Sequence, residues 1–371
     1  MSFRRNRLTV ALYSRLMRFA TKVQAAPTKM VPPPFRLLQV GSAFWLSRAL
    51  HAAAELELAD FLGEETLALA ELAERAGVAA EPLYRLLRLL TANGIFEEAE
   101  LANYRNNPVS HCLRRDAPDS VREMVLLHNS DEMSLPWYQG LVTGLRENRV
   151  PFEVVHGREL FSYLDEHPDF DRRFAGAMSQ VEALLGDSFV TDFDWGRFRR
   201  VIDIGGSNGN KSIAILKQWP QLSALVFDRA QMIATLPQPP VEDPLIANRI
   251  SWLGGDMFDA VPPARDAQDV MLLSAVLHGL DDADALRCLQ RVAQGVGSTG
   301  ARVLIMELVM PQRCDDPAMA SFDMQILVGS RGKERTLEQW CALFQEAGLE
   351  LEEQVPLRSL GCILVLRHTV P

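Results

Sequence analysis

The sequence has few cysteines, a deficit of positive charge and no long apolar run. Its five cysteines are scattered over 371 residues without a Cys-x-x-Cys pair, which argues against a disulfide scaffold or a zinc site and suits a reducing compartment. The 48 Asp and Glu outnumber the 38 Lys and Arg, for a net charge of −10, so a general nucleic-acid binder is not expected. No apolar stretch reaches the ~18 residues of a membrane-spanning helix. We therefore expect a cytoplasmic globular protein of two or three domains.

Acidic residues are also missing from the start of the chain, where the first is Glu55. The first thirty residues instead contain seven Lys and Arg, with apolar residues at helical spacing. We interpret residues 1–35 as a basic amphipathic N-terminal arm whose helix is ended by three consecutive prolines. Arg15 and Arg18 interrupt the apolar stretch, which disfavours a secretory signal. An organelle transit peptide and an arm that packs on a partner subunit both remain open.

Residues 36–118 have the pattern of a winged helix, with three short helices followed by an Asn93-Gly94 turn into a strand-like segment. Such a module can bind DNA, but residues 36–100 contain five Arg against eleven Asp and Glu, a net charge of −6. Contact with phosphates needs positive charge. We predict an all-α, winged-helix-like dimerisation domain, and hence a homodimer that binds neither nucleic acid nor membrane. A winged-helix regulator that senses a cofactor is a rival hypothesis, against which the same charge argues.

Residues 119–190 are predicted to be connecting helices with a series of aromatic and sulfur-containing side chains. Phe174 and Met178 belong to this series. At helical spacing such a stripe usually forms core, and the alternative is that some members line a pocket for a flat organic molecule.

Over residues 191–371 strands alternate with helices, which predicts a Rossmann-like, doubly wound parallel sheet. The predicted strands span 200–204, 223–227, 250–253, 270–274, 302–306 and 360–366. Ligands of such sheets bind outside the carboxyl ends of the strands. The residues that follow each strand are therefore the candidates for a site.

The ends of the first three predicted strands suggest an adenosine-containing ligand. Asp203 is followed by a turn, 205–209, whose glycine spacing matches neither a P-loop nor the three-glycine dinucleotide motif. Asp228 stands where an acid can accept hydrogen bonds from a ribose diol. In Asp256-Met257-Phe258 the acid can accept from an exocyclic amine, and the apolar pair can enclose a base. Taken singly, each feature is also explained by a tight turn, or by a helix-capping Asp before core residues.

The fourth strand is followed by His278, at the mouth of the predicted site. The ordinary pKa of a histidine, ~6.5, suits a general base, although a lone His is more often structural. Glu307 ends the fifth strand and Glu334 precedes a helix. Two carboxylates that converge on one His could orient its ring and stabilise its charged form. The simpler interpretation of Glu334 is a surface ion pair or a first-turn acid.

In their order and spacing, several segments resemble the S-adenosylmethionine-dependent O-methyltransferase family, more narrowly its plant caffeate-type and bacterial natural-product branch. These segments are Asp-Ile-Gly-Gly-Ser-Asn-Gly at 203–209, Phe-Asp-Arg at 227–229, Gly-Asp-Met-Phe at 255–258, Leu-His-Gly-Leu-Asp-Asp at 277–282 and Gly-Lys-Glu-Arg-Thr at 332–336. The resemblance covers nearly the whole chain after Arg36 and implies S-adenosyl-L-methionine as cofactor, with S-adenosyl-L-homocysteine as product. No metal is expected, because the seven His show no ligand spacing.

The resemblance also implies roles for individual residues. The residues that it assigns to the cofactor are Asp203, Gly205, Gly206, Asp228, Asp256, Met257, Phe258 and Ser274. It makes His278 the general base and Glu307 and Glu334 the acids that flank this base. It places Phe174, Met178 and Met324 near positions that line the acceptor, with Asp323 beside them and without a role.

Four positions depart from the family pattern: Gly279-Leu280 replace Asp-Trp, Ser274 replaces the Lys of the plant branch, and Ser207 stands where a third Gly is common. The base and both acids are retained. We therefore predict methyl transfer to a hydroxyl of a small aromatic or polyketide-like natural-product intermediate, with His278 taking the proton. Two alternatives share the fold: methylation of nitrogen or carbon, and a cofactor-binding enzyme that catalyses a reaction other than methylation.

Overall fold

The computed structural model describes residues 31–237, 240–313, 316–359 and 361–369. The predicted arm therefore lies outside the described residues except for its last few. Of these, Pro33 and Pro34 form the first turn of a long helix, where a missing N–H costs nothing. The chain divides between Gly186 and Asp187 into two compact units, here the N-terminal unit (31–186) and the C-terminal unit (187–369).

The N-terminal unit is mainly helical. Its helices are α1 (Pro33–Glu55), α2 (Leu58–Leu62), α3 (Leu69–Arg75), α4 (Ala80–Ala92), α5 (Pro108–His111), α6 (Arg122–His128), α7 (Asp131–Leu135), α8 (Leu141–Glu147), α9 (Pro151–His156), α10 (Leu160–Glu166) and α11 (Pro168–Leu185), with a π-helical turn at Pro136–Gly140. Three buried leucines in α4, at positions 83, 87 and 90, recur at helical spacing and join the core that α1 and α2 also line. The amphipathic pattern therefore predicts this helix correctly.

A small sheet completes the predicted winged-helix pattern. Its antiparallel strands are β1 (Leu67–Ala68), β2 (Phe96–Glu100) and β3 (Asn103–Asn106), in the order β1-β3-β2. Gly94 has a φ of +72°, a conformation that glycine adopts without strain, and it turns the end of α4 into β2. The domain is thus winged-helix-like, with a three-stranded wing added to its helices.

The C-terminal unit contains a seven-stranded sheet with helices around it. Its strands are β4 (Arg200–Ile204), β5 (Ser223–Asp228), β6 (Ile250–Gly254), β7 (Asp269–Ser274), β8 (Arg302–Glu307), β9 (Val309–Met310), β10 (Arg335–Thr336), β11 (Leu349–Pro356) and β12 (Cys362–His368). Its helices are α12 (Ser188–Asp192), α13 (Asn210–Gln218), α14 (Ala230–Ala234), α15 (Pro244–Ala247), α16 (Asp282–Val296), α17 (Pro317–Gly329) and α18 (Leu337–Glu346), with 3₁₀ turns at Trp195–Arg197 and Leu277–Gly279.

The strand order of the large sheet is β11-β12-β8-β7-β4-β5-β6, while β9 and β10 form a separate parallel pair. The five strands from β8 to β6 are parallel, which confirms the doubly wound fold. β11 was not predicted, and β12 is antiparallel to both of its neighbours. The five residues 357–361 that join β11 to β12 are too few for the crossover that parallel strands need.

Side-chain alternation along the central strand β7 divides the core into two layers. Met271 and Leu273 belong to the layer that α16 and α18 cover, whereas Val270 and Leu272 belong to the layer that α13 covers. All four side chains are fully buried. Burial on both faces explains why the central strands are continuous apolar runs. In the described part of the chain, every helix is too short or too polar to span a bilayer.

Candidate active site at the carboxyl ends of the strands

The turn between β4 and α13 packs closely on its surroundings. Gly205 has a φ of +72°, and a Cβ at this position would lie 2.7 Å from a methyl carbon of Val276 in the segment after β7. A Cβ on Gly206 would lie 2.6 Å from the carboxyl carbon of Asp203. Both glycines are therefore required by close packing of the turn, which joins the ends of β4 and β7.

Asp203 supports this turn from beneath. The residue is 1% exposed, and its Oδ2 accepts a hydrogen bond of 2.7 Å from the Ser212 hydroxyl at the start of α13. A carboxylate that is buried and bonded in this way has no surface to offer a ligand. The geometry thus gives Asp203 a supporting position in place of the direct cofactor contact expected from the sequence.

Asp228 ends β5 and connects it to the glycine turn. Its Oδ2 accepts from the N–H of Ser207 at 2.8 Å, and its Oδ1 accepts from the N–H of Arg229 at 2.7 Å. The residue is partly exposed. Because a carboxylate has about four acceptor positions, each oxygen retains capacity for another donor such as a ligand hydroxyl.

The segment after β6 presents an exposed acid beside half-buried apolar side chains. Asp256 is exposed, and its Oδ1 accepts from the N–H of Phe258 at 2.8 Å. Two arginines of α16 hold this segment: the Arg291 Nε donates to the Phe258 carbonyl at 3.0 Å, and the Arg287 guanidinium lies 5.1 Å from the centre of the Phe258 ring. Met257 is also half-buried against the core. Sequence analysis missed both arginines, whose helical spacing of four was the available signal.

His278 lies on the 3₁₀ turn after β7, against two buried carboxylates. Its Nδ1 is 2.7 Å from Glu334 Oε1 and 3.9 Å from Glu307 Oε2. The imidazole is 18% exposed, whereas the two carboxylate side chains are at most 1% exposed. Because an ionised carboxylate only accepts, Nδ1 donates to Glu334. The other ring nitrogen, Nε2, makes no hydrogen bond within the described part of the chain.

The charges around His278 favour its protonated form. Burial alone lowers the pKa of His278, but the negative charges of Glu307 and Glu334 and the hydrogen bond to Glu334 outweigh burial and raise this pKa to about 9. Burial raises the pKa of Glu307, and the neighbouring imidazolium opposes this shift. Glu307 Oε1 also accepts from the N–H groups of Val276 and Leu277, each at 2.9 Å. The site therefore combines a base with two buried carboxylates that raise the pKa of this base, as the groups of functional sites commonly do.

Backbone pairing brings the two acids together. Glu307 ends β8 and is followed at once by β9, which pairs in parallel with β10, so that Val309 lies opposite Arg335. Glu334 directly precedes β10. The sheet register thus delivers both carboxylates to the same imidazole.

Three of the five residues of Gly332-Lys-Glu-Arg-Thr contact the His278 turn: Gly332, Glu334 and Arg335. A Cβ on Gly332 would overlap the carbonyl oxygen of His278, so that only glycine permits this approach. Lys333 pairs with Asp282 at 2.5 Å, and Thr336 caps α18. From the sequence, a role was predicted only for Glu334 of this segment.

Helix α17 borders the same site. Asp323, which had no assigned role, accepts from the N–H of Glu334 at 2.9 Å. The Phe322 ring centre is 6.0 Å from that of His278, and the residue is 39% exposed. Met324 is partly buried on the same helix. Phe322 was missed, although the sequence placed an aromatic residue directly before Asp323.

Three candidates remain. Ser274 is the last residue of β7, lies opposite Met306 and is partly exposed. Phe174 and Met178 lie on α11 in the N-terminal unit, where the Phe174 ring contacts Phe170 at 6.4 Å between centres. Met178 is 39% exposed. In the described ranges, no three His, Cys, Asp or Glu side chains form a group that could hold a metal ion.

Two domain families match the chain in sequence. Residues 38–116 match the O-methyltransferase dimerisation domain, and residues 138–350 match the O-methyltransferase domain. The matches confirm the family resemblance seen in the sequence, because together they include most of the chain.

Characterised relatives agree with these domains. The chain is 30% identical to the phenazine O-methyltransferase PhzM of Lysobacter antibioticus, over 89% of this chain and 94% of the relative. It is 32% identical to the phenazine-1-carboxylate N-methyltransferase of Pseudomonas aeruginosa, over 86% and 93% of the two chains. The crystal structure of LaPhzM superposes with a TM-score of 0.82 at 29% identity and covers 91% of this chain and 100% of that one. Relatives of this kind methylate oxygen in one case and nitrogen in the other.

Proposed function

The chain belongs to the O-methyltransferase family, and we propose that it transfers a methyl group from S-adenosylmethionine to a hydroxyl of a small aromatic or polyketide-like intermediate of natural-product biosynthesis. The observation that carries the choice of a hydroxyl is the imidazole of His278. Its Nδ1 is held at 2.7 Å by the buried Glu334, while its Nε2 is left for an acceptor. Such a side chain can remove a proton at a fixed position.

The residues at the ends of the strands have the acceptor groups and apolar side chains that S-adenosylmethionine requires. Asp228 retains acceptor capacity at the end of β5, where an acid binds the ribose of a nucleoside in related folds. The exposed Asp256 can accept from an adenine amine, with Met257 and Phe258 as apolar neighbours. The tight turn at Gly205 and Gly206, supported by Asp203, would lie against the methionine portion. When bound, the sulfonium supplies an electrophilic methyl group.

The protein's own contribution to the reaction is to hold the acceptor oxygen and remove its proton. A phenol has a pKa of ~10, so at neutral pH it is largely protonated. The neutral form of His278 accepts this proton at Nε2, and Glu334 keeps the ring oriented by accepting from Nδ1. Glu307 then stabilises the imidazolium together with Glu334. A base in this position accelerates such a step by ~10²–10⁴-fold.

Methylation of nitrogen is the second candidate, because one relative is an N-methyltransferase. The two reactions make different demands on His278. An aromatic ring nitrogen with a free lone pair has no proton to lose, so a base is not required there. A hydroxyl that is weakly acidic depends on the base.

A screen of acceptors with methyl-labelled cofactor tests the proposal. Phenols, hydroxy acids, amines and aromatic nitrogen heterocycles are offered separately, and the labelled product is identified by mass spectrometry and NMR. We expect O-methylated phenols or aromatic hydroxy acids, with one S-adenosylhomocysteine released for each methyl group. A product labelled only at nitrogen or carbon would overturn the choice of a hydroxyl, and conversion of acceptors without S-adenosylhomocysteine would overturn methyl transfer itself.

We also propose that the N-terminal unit forms a homodimer. The start of α1 carries apolar side chains in solvent, with exposures of 75%, 69% and 68% at Leu37, Leu38 and Val40. Phe44 extends this surface to Tyr138, with 6.1 Å between the ring centres. Neighbouring apolar side chains that are exposed on a single chain mark a protein interface, and the match to the dimerisation domain begins at residue 38. A second copy of the chain is the occupant that this match supports.

A further inference from the structure

Arg335 is a fully buried, positively charged side chain near the candidate base. Its accessible surface is 0% of the maximum, although burial of a guanidinium is costly unless every donor finds a partner. In the described chain its neighbour Glu334 contacts the ring of His278. Two consecutive residues of one short segment therefore hold the candidate base.

The partners of Arg335 lie on both sides of His278. Its Nη1 donates to the carbonyl of Leu277 at 2.8 Å, and its Nη2 donates to the carbonyl of Leu280 at 2.7 Å. Its Nε donates to Asp282 at 3.0 Å. The guanidinium also lies 5.0 Å from the centre of the Trp340 ring. The planar fork thus fixes the backbone before and after the residue that carries the imidazole.

The contact with Trp340 anchors this fork to the core. Trp340 is fully buried in the layer that α16 and α18 line. The His278 turn has only three residues in 3₁₀ geometry, which by itself gives few hydrogen bonds. Arg335 therefore connects a short turn with weak internal bonding to a rigid element.

We propose that Arg335 is a positioning residue for methyl transfer: by bonding the carbonyls of Leu277 and Leu280, it holds the His278 imidazole on Glu334, with Nε2 turned to the acceptor. This inference rests on the proposed function. It assigns Arg335 no contact with cofactor or acceptor. Its effect is transmitted through the backbone of residues 277–280.

Two substitutions distinguish the effect of the positive charge of Arg335 from the effect of its planar hydrogen-bonding geometry. Arg335→Lys retains a positive charge but cannot reach two carbonyls with one planar group. Arg335→Met removes the charge and keeps a long side chain. The matched control is Arg249, whose nitrogens donate to the carbonyls of Leu245, Leu222 and Leu216 at 2.8, 2.9 and 3.0 Å. These carbonyls belong to the other side of the sheet, so Arg249→Lys and Arg249→Met report the structural cost of a lost fork alone.

For both Arg335 variants we expect kcat at pH 10, where the imidazole is largely neutral in the wild type and in the variants, to fall about 10²-fold, as for a base displaced by ~1 Å. The dissociation constant of S-adenosylhomocysteine and the acceptor KM change by less than threefold. In Arg335→Lys, the pKa of His278 falls from about 9 towards its ordinary value, because the ring leaves the carboxylates while the local positive charge remains. The Arg249 variants lower the melting temperature but leave kcat and this titration unchanged.

NMR of protein labelled with ¹⁵N-histidine measures the titration and the Nδ1 proton of His278, with His278→Asn for assignment. Loss of the hydrogen-bonded Nδ1 signal in Arg335→Lys supports the positioning role. If both Arg335 variants keep kcat and the His278 signal and lose only thermal stability, as the Arg249 variants do, Arg335 is merely structural. The NMR measurement needs neither cofactor nor acceptor. It therefore decides the role of Arg335 even if the acceptor screen shows that the proposed function is wrong.

Discussion

Among single residues, His278 must be neutral at Nε2 before it can accept a proton from the acceptor hydroxyl. With a pKa of about 9, the free protein holds an imidazolium at neutral pH, and an imidazolium cannot accept a proton. Only the small neutral fraction is active, and below the pKa this fraction rises tenfold with each unit of increasing pH. The same carboxylates that orient the ring therefore also set the pH at which it works.

The raised pKa of His278 predicts an ascending limb in the pH profile of the enzyme. We expect kcat/KM for a phenolic acceptor to rise about tenfold per pH unit between pH ~6.5 and ~8.5 and to level near pH 9. Glu334→Gln removes one of the charges that raise this pKa, so its limb lies at lower pH and its plateau is reduced because the ring is less well oriented. Initial rates measured from pH 6 to 10 test both statements. A kcat/KM of the wild type that does not change with pH contradicts the first statement. A limb at the same pH in Glu334→Gln and in the wild type contradicts the second.

At the scale of elements, the approach of the 332–336 segment to the His278 turn has a direct consequence. In Gly332→Ala the new methyl group overlaps the carbonyl of His278, so the two segments must separate. We expect a loss of about 1–3 kcal/mol in the free energy of unfolding, as for other overpacked sites, and reduced turnover. Gly279→Ala is the matched control for stability, since no atom lies within 4 Å of its new Cβ. Chemical denaturation measures both variants, and equal stability of the two would refute the close contact.

The sequence predicted those elements whose local pattern and tertiary environment agree. The strands β4, β7 and β8 are apolar runs that are buried on both faces, so the runs alone located them. β11 escaped prediction because its alternating glutamates interrupt the apolar run; Glu350 pairs with Arg367 and Glu352 with Arg302. Those cross-strand pairs form only in the folded sheet. An edge strand of this kind gives little signal in a single sequence.

In the site, too, the sequence predicted the residues that have a local signal and missed those that depend on tertiary contacts. His278 and its two acids were identified from strand ends and from the family resemblance. Arg335 and Gly332 were overlooked, because their importance lies in contacts with a backbone that is more than fifty positions away in the chain. Asp203 was predicted to contact the cofactor, but an acid at the end of a strand can also lie beneath the turn and bond to it, as Asp203 does through Ser212. Sequence motifs show where in the chain the functional residues lie. Burial and backbone contacts, which only the structure gives, distinguish the residues that support the site from those that face a ligand.

At the scale of the whole molecule, the apolar surface of α1 predicts the oligomeric state. Placing charges there through Leu38→Glu with Val40→Glu removes apolar contact area and introduces unpaired charges, so we expect a dimer in the wild type and a monomer in the double variant. Leu245→Glu in the C-terminal unit is the control, because Leu245 is also highly exposed, at 77%, but lies outside the dimerisation match. Analytical ultracentrifugation gives the masses. A double variant that remains dimeric places the interface elsewhere.

The central claim is that His278 acts as the base for an acceptor hydroxyl and not as a structural or cofactor-binding group. Single-turnover methylation by His278→Ala, combined with calorimetric binding of S-adenosylhomocysteine, tests it most directly. We predict a rate ~10²–10⁴-fold below that of the wild type, with the dissociation constant of S-adenosylhomocysteine unchanged within about threefold. Cofactor binding that collapses while the rate per bound complex stays at the wild-type value would contradict the account.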